Sequence, residues 1–543
     1  MTLISIGEVG FLQSVDQESG PSNSRNRQQK LTLPGLLSYL HPRQHAFFRE
    51  PPRKFASRGN MRTIFIMLDS LNRHFLSSYA ENPLAHTPNI ERLAKRGVVF
   101  DNHYCGSMPC MPARREMYTG RLNFLETPWS PIMPWDDCLQ PELRRQKGTY
   151  SHMITDHYHY FHAGGENYHT RFNSWEFQRG QESDVWHPLV DDPPQPNFQG
   201  KNSRPYWVNR QFMDTEQDED YPTPQCFERA IEFVDNNHDA DNWHLHLEAF
   251  DPHEPFACPR KYLDMYNDDW AGDFHFDWPN YAPVAEEADA VEHIRKRYCA
   301  TLTMADVWLG KLLDRLDELD MWQDTTVVLT TDHGHLLGDH GYWAKNYMFD
   351  YQELVHIPLI VCQPGIQPGR RQALTATMDL MPTFMDWFGA EALAHVHGRS
   401  LQHVIEEDSQ HHDAILYGYF GKDINLTDGK HTYCRQALPD STVHHHTLMP
   451  VGFADFDGRE KLAAAEMGVF LEHAHGVPHL RMAGKSRRHH DAPDFHPLYD
   501  VQADPQQQSP IHDEALEARF CEQMRSLLQR YDAPTCQYER MGF

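Results

Sequence analysis

No two cysteines of this chain stand as a C-x-x-C pair, and the ten present are irregularly spaced. That excludes a zinc ribbon, argues against a disulfide framework, and leads us to expect a reduced compartment. No apolar run reaches the ~18 residues that cross a bilayer. The opening stretch MTLISIGEVGFLQSVDQESG lacks the basic segment and apolar run of a secretory signal. The expectation is a cytoplasmic protein with no membrane partner. Basic residues are also scarce, 49 Lys and Arg against 77 Asp and Glu, for a formal net charge of −28. A nucleic-acid binder needs a basic footprint, so that class is excluded. An anionic substrate would need a basic hollow inside an acidic body.

What the chain does have is an alternation of strands and helices. Residues 1–60 carry no hydrophobic period and read as a weakly ordered extension, with Met61 an alternative start. Thr63–Leu68 is a short continuous apolar run, the pattern of a strand buried on both faces of a parallel sheet. Trp243–Phe250, Thr325–Thr331 and Ile357–Cys362 read as further strands. Thr87-Pro88 and Thr223-Pro224 open helices, and Val284–Leu319 and Asp379–Phe388 continue the helical set. The pattern predicts an α/β fold, a large mostly parallel sheet sandwiched by helices over 61–392. A smaller α+β domain over 393–543 follows, ending in a helix near Ile511–Tyr531. Ligands of such sheets bind beyond the carboxyl ends of the strands. Asp69 and Asp332-His333 follow proposed strands, and His253 lies just past another. Two carboxylates and an imidazole at strand tips suit a divalent cation.

The most informative stretch is Cys110-Met111-Pro112-Ala113-Arg114, continued by Thr119-Gly120-Arg121. Pro112 suits a first helical turn and Gly120 a helix stop, which puts Cys110 at a helix mouth, where free N–H groups favour negative charge. Arg114 lies one turn in and can fork onto a carboxylate, phosphate or sulfate. The run resembles the C-x-P-[SA]-R…T-G-R signature of the formylglycine-dependent sulfatases of the alkaline phosphatase superfamily. The resemblance covers residues 62–390 and reaches the tail only through Leu498-Tyr499-Asp500 and Asp504-Pro505.

The resemblance implies that Cys110 is oxidised by a formylglycine-generating enzyme to an aldehyde whose hydrate is the nucleophile. It also implies one divalent cation, Ca2+ or Mn2+/Mg2+, held by Asp69, residue 110, Asp332 and His333. Lys345 matches the lysine of G-D-H-x-x-W-x-K, which contacts the sulfate, and Arg114 and Lys345 then neutralise its oxygens. His253 matches the histidine of P-H-x-P-F and is the expected general acid. Two departures stand out. Ser70 replaces a second Asp after the first strand, as in the phosphonate monoester hydrolases. His157 and His159 stand where a G-K-W-H segment has its lysine and histidine, and in a strand both would face the pocket. The expected substrate is a small anionic ester. The first reading is a sulfatase, the second a phosphonate monoester or phosphodiester hydrolase with the same site, favoured by Ser70 and His157. The third is an unprocessed, non-catalytic homologue. His444–His446 and His489-His490 lack a convincing ligand pattern and are expected on the surface.

Overall fold

The computed structural model describes residues 61–543; the expectations for residues 1–60 lie outside them. Eight strands build the main sheet: β1 (Arg62–Leu68), β2 (Val98–Phe100), β3 (Tyr150–Thr155), β4 (Ser174–Phe177), β5 (Trp243–Ala249), β6 (Thr325–Thr330), β7 (Leu359–Cys362) and β8 (Gly369–Arg371). Their spatial order is β8-β2-β7-β6-β1-β5-β3-β4. The four neighbours β6, β1, β5 and β3 are mutually parallel, and β7 runs against both β6 and β2. The α/β sheet anticipated from the sequence is therefore present, mixed but mostly parallel.

Side-chain alternation along β1 separates two cores. Ile64, Ile66 and Leu68 pack with Ile90 of α1 (Pro88–Arg96), Phe227 of α3 (Pro222–Asn237) and Leu302 of α4 (Ala288–Glu318). Phe65 and Met67 point to the other face, onto Met111 and Met117 of α2 (Cys110–Thr119) and Phe384 of α5 (Leu380–Trp387). Period-two strands between helices on both faces give the sandwich. Among the described residues no helix is long and apolar enough to cross a membrane, and all ten cysteines are free.

Helix starts differ from the sequence reading in instructive ways. Thr87 precedes α1 but its side chain makes no capping bond. Asp306 of α4 does the work instead, accepting from Ile90 N at 2.7 Å and Asn89 N at 3.1 Å. Thr223 lies inside the first turn of α3, where its hydroxyl donates to Asp156 at 3.1 Å. Beyond the main sheet, β9 (Ile415–Tyr419), β10 (Ile424–Thr427), β11 (His431–Arg435) and β12 (Leu498–Asp500) form an antiparallel sheet. The two-residue strand Ser107–Met108, just ahead of α2, joins the β9 edge in parallel. Phe520, Met524 and Leu528 of α6 (Glu514–Arg530) pack on this sheet.

The surface placement expected for the histidine runs is corrected at His445, His446 and His489, whereas His444 is half-buried and His490 exposed. His445 and His446, on the strand Thr442–Thr447, are 2% and 3% exposed. That strand is covered on both faces, with Phe420 against His445 and Phe470 and His479 against His446. His489 is buried as well.

Candidate active site

The parallel strands deliver their C-terminal ends to one place. Asp69 directly follows β1, Asp332 stands two residues past β6, Glu248 is the penultimate residue of β5, and His157 lies two residues past β3. Helix α2 begins at Cys110 and closes at Gly120, whose φ of +66° is the left-handed conformation a glycine takes at little cost. One turn into that helix, fully buried Arg114 points back at the strand tips.

The guanidinium of Arg114 has five N–H donors. Nε donates to Glu248 at 2.9 Å, Nη1 to the Cys110 carbonyl at 3.0 Å and to Asp332 at 2.7 Å, and Nη2 to Asp69 at 2.7 Å and Glu248 at 2.6 Å. Five donors meet five contacts, so none is left for a substrate. Arg114 organises the carboxylates. Lys345 is placed differently: Nζ donates to Ser70 Oγ at 2.9 Å, and Ser70 Oγ donates on to Asp69 at 2.8 Å. An ammonium has three protons, so Lys345 keeps donors for an anion.

Asp69, Cys110, Asp332 and His333 each offer an atom within 4.8 Å of the others, and all four residues are buried. His333 Nδ1 donates to the Gly334 carbonyl at 2.9 Å, which leaves the Nε2 lone pair facing Cys110 Sγ, 3.3 Å away. Such a backbone anchor fixes the tautomer that a metal-binding imidazole needs.

Electrostatics give an independent test of whether these residues fit a cation. Burial raises the Asp69 and Glu248 carboxyls, but Arg114, joined by Lys345 and His333 at Asp69 and by His246 at Glu248, outweighs it and holds both below the ordinary range. Burial pushes the His157 and His333 imidazoles down, so both are neutral. Asp69, Glu248 and Asp332, all bonded to Arg114, together with Glu254, which acts on Lys345, outnumber the two cations Arg114 and Lys345 in a buried site. A divalent ion would offset that surplus of negative charge and make room for an anionic ester. The basic hollow expected from the sequence is not made by side chains alone. The Cys110 thiol is pushed well up by burial, with Lys345 pulling it down and Asp69 adding to the rise. A thiol so placed is a poor thiolate nucleophile.

His253 lies in the loop after β5 and is 4% exposed. Its Nδ1 donates to the Glu254 carbonyl at 2.6 Å, leaving Nε2 for other work. Burial lowers this imidazole to about 3, against the opposing pull of Glu254. It protonates only once negative charge sits beside it. The strand geometry expected for His157 and His159 is corrected. β3 ends at Thr155 and a 3-10 turn covers Tyr158–Phe161, yet the two buried rings still meet edge-on, their centroids 5.0 Å apart. His157 Nδ1 is 3.8 Å from Asp69, whereas His159 Nε2 sits 3.3 Å from Glu182.

Sequence reasoning missed Glu248, Tyr160 and Glu254. Tyr160 donates to Glu248 at 2.7 Å, completing the shell around Arg114. The signal for Glu248 was available: a carboxylate set between Leu247 and Ala249 in a buried strand is costly unless paired. Tyr160 and Glu254 carry no such mark.

The sulfatase family model matches residues 62–390. The multifunctional alkaline phosphatase superfamily protein PehA of Trinickia caryophylli is 26% identical over 60% of this chain and 73% of its own. The choline-sulfatase of Rhizobium meliloti is 26% identical over 61% of this chain and 68% of its own. The structure of the phosphonate monoester hydrolase of Agrobacterium radiobacter aligns with a TM-score of 0.60 at 17% identity, covering 87% of this chain and 96% of that one. With the family's pattern matched across the whole main sheet and its strand-tip residues gathered around Cys110, the chain belongs to the sulfatase family of the alkaline phosphatase superfamily.

Proposed function

We propose that this hydrolase is a metal-dependent sulfatase that cleaves sulfate esters with a nucleophile derived from Cys110. The observation that carries the reading is the convergence of Cys110 with Asp69, Asp332 and His333 beside the free donors of Lys345. When bound at those residues, a divalent cation supplies positive charge to the ester oxygens and to the nucleophile. When oxidised to formylglycine, residue 110 supplies a hydrate with two hydroxyls, one to attack and one to permit release. A serine there would lack the second.

The chain's own side chains divide the rest of the work. Lys345 meets the developing charge on the peripheral oxygens with preorganised N–H donors. Arg114 fixes Asp69 and Asp332 in place without touching the ester. His253 Nε2 gives its proton to the departing alcohol once the anionic ester has raised its affinity for one. Ser70 relays the orientation of Lys345 to Asp69. A second reading, a phosphonate monoester or phosphodiester hydrolase, is supported by Ser70 in place of a second carboxylate and by neutral His157 in place of a lysine. Both changes suit a singly charged ester.

The test uses protein from cells able to make the modification. Rates on an aryl sulfate and an aryl phosphonate monoester are measured side by side with the cation varied. A faster sulfate reaction supports the first reading and a faster phosphonate reaction the second. No turnover of either ester by aldehyde-bearing protein at any cation removes both.

A further inference from the structure

A second cluster with metal-ligand chemistry lies away from the candidate active site, where the main sheet's last helix meets the C-terminal strands. Asp379 immediately precedes α5, and His411-His412 lie just ahead of β9. Ligand atoms of all three come within 4.8 Å of one another, and all three side chains are buried. His411 Nε2 is 3.2 Å from Asp379 Oδ1; His412 Nε2 is 3.0 Å from Oδ1 and 2.9 Å from Oδ2. Two consecutive residues that turn both rings onto one carboxylate are unusual, because extended backbone sends neighbours to opposite sides.

We propose that Asp379, His411 and His412 form a structural site for a zinc-class transition-metal ion. Four features support it. First, a tetrahedral ion with bonds of ~2.0–2.1 Å holds its ligands about 3.3 Å apart, so the two imidazole–carboxylate spacings need open by only a few tenths of an ångström, and the imidazole atoms lie within 4.8 Å of each other. Second, the His411 Nε2 atom is buried and lacks a properly aligned hydrogen bond in spite of its closeness to Asp379. Third, the ligands are held from behind. Ala376 N donates to Asp379 Oδ2 and Arg399 N to Oδ1, both at 2.9 Å. His411 Nδ1 lies 3.2 Å from His403 Nε2, a partner that can fix its tautomer. Fourth, His412 also lines a surface cavity of about 480 Å³ with Asn102, Gln372 and Gln410, so one of the three residues borders space open to solvent.

The competing arrangement is an ion-free triad in which both imidazoles donate to Asp379. Arg399 bears on the choice. Its guanidinium stands 3.4 Å from His412 Nδ1 and also donates to the His411 carbonyl. Metal binding through His412 Nε2 leaves the proton on Nδ1, so Arg399 would then serve the carbonyl alone. The site has a structural consequence for the catalytic machinery. Asp379 ends the turn that starts at Thr377, and the Thr377 hydroxyl bonds Glu116 of α2, the helix that carries Cys110. An ion there would pin the floor under that helix.

The experiment uses the full chain with zinc alone as the probe. Crystals equilibrated with zinc are measured on both sides of the zinc absorption edge. The proposal expects an anomalous peak between Asp379 and the two imidazoles, distinct from any peak beside Cys110. Metal analysis should find one zinc more per chain in the wild type than in H411N/H412N, and zinc should raise the wild type's Tm more than the variant's. No anomalous density at that position overturns the proposal and leaves the hydrogen-bonded triad. The crystal measurement needs no variant, so a double variant that fails to fold does not affect it.

Discussion

Replacing Arg114 by alanine would test how the candidate site is held together, and the structure sets the size of the effect. The side chain makes five charge-assisted or carbonyl contacts and no part of it is exposed. Its removal leaves Asp69, Asp332 and Glu248 as buried carboxylates with only Lys345 nearby. Breaking a buried pair by deleting one partner costs ~3–5 kcal/mol, and three carboxylates share this partner. Lysine in its place keeps the charge but cannot fork to three acceptors, so R114K should lose about half as much, ~2 kcal/mol. The assay is urea unfolding with and without a divalent cation, on protein whose catalytic state has been checked by mass spectrometry. The wild type should outrank R114K and R114K should outrank R114A. Added cation should recover more stability in R114A than in the wild type, because Asp69 and Asp332 are then free to serve it fully. Equal midpoints and m-values for wild type and R114A without cation would refute the reasoning, since the buried carboxylates would then need no counter-charge.

Three further outcomes follow from other parts of the structure. Lys345→Ala should lower kcat about a hundredfold with the fold intact, equivalent to ~3 kcal/mol of lost transition-state stabilisation; circular dichroism together with steady-state kinetics checks it. Glu116 is held by Ser107 and Thr377, and burial raises its carboxyl to about 7 despite those bonds. A carboxyl raised on folding leaves stability intact below its unfolded value of 4.5 and erodes it as pH climbs through 7, by ~3 kcal/mol in all. E116Q should flatten that fall in a pH series of unfolding midpoints, and an unchanged slope would refute the assignment. Asp306→Ala removes the cap that α4 lends to α1 and should cost ~1–2 kcal/mol by urea unfolding, whereas Thr87→Ala should be nearly neutral.

The parts of this architecture legible in the sequence are those written in short-range pattern. β1 was visible as a continuous apolar run and β6 as a β-branched one, because strands buried on both faces admit little else, and the carboxylates just past them marked the sheet's binding edge. The Cys110–Arg121 stretch located the helix mouth through its proline and glycine. What escaped depends on long-range geometry. Nothing local says that Asp306 caps a helix more than two hundred residues earlier. His157 and His159 read as strand neighbours, whereas the strand ends at Thr155 and the 3-10 turn brings their rings together edge-on. The role of Arg114 was also hidden, because five donors are known to be spent only when Glu248 is seen beside Asp69 and Asp332. The buried His445 and His446 show the same limit, since composition alone cannot tell a solvated histidine run from one enclosed by Phe420 and Phe470.

The most direct test of the central claim is peptide mass spectrometry across Cys110 on protein from cells able to install formylglycine, read beside ester hydrolysis by the same sample. The account predicts an aldehyde in place of the sulfur-bearing side chain, in a fraction that scales with specific activity, and C110S protein that does not turn over. A population wholly in the thiol form that hydrolyses sulfate esters as fast as an aldehyde-rich one would contradict it.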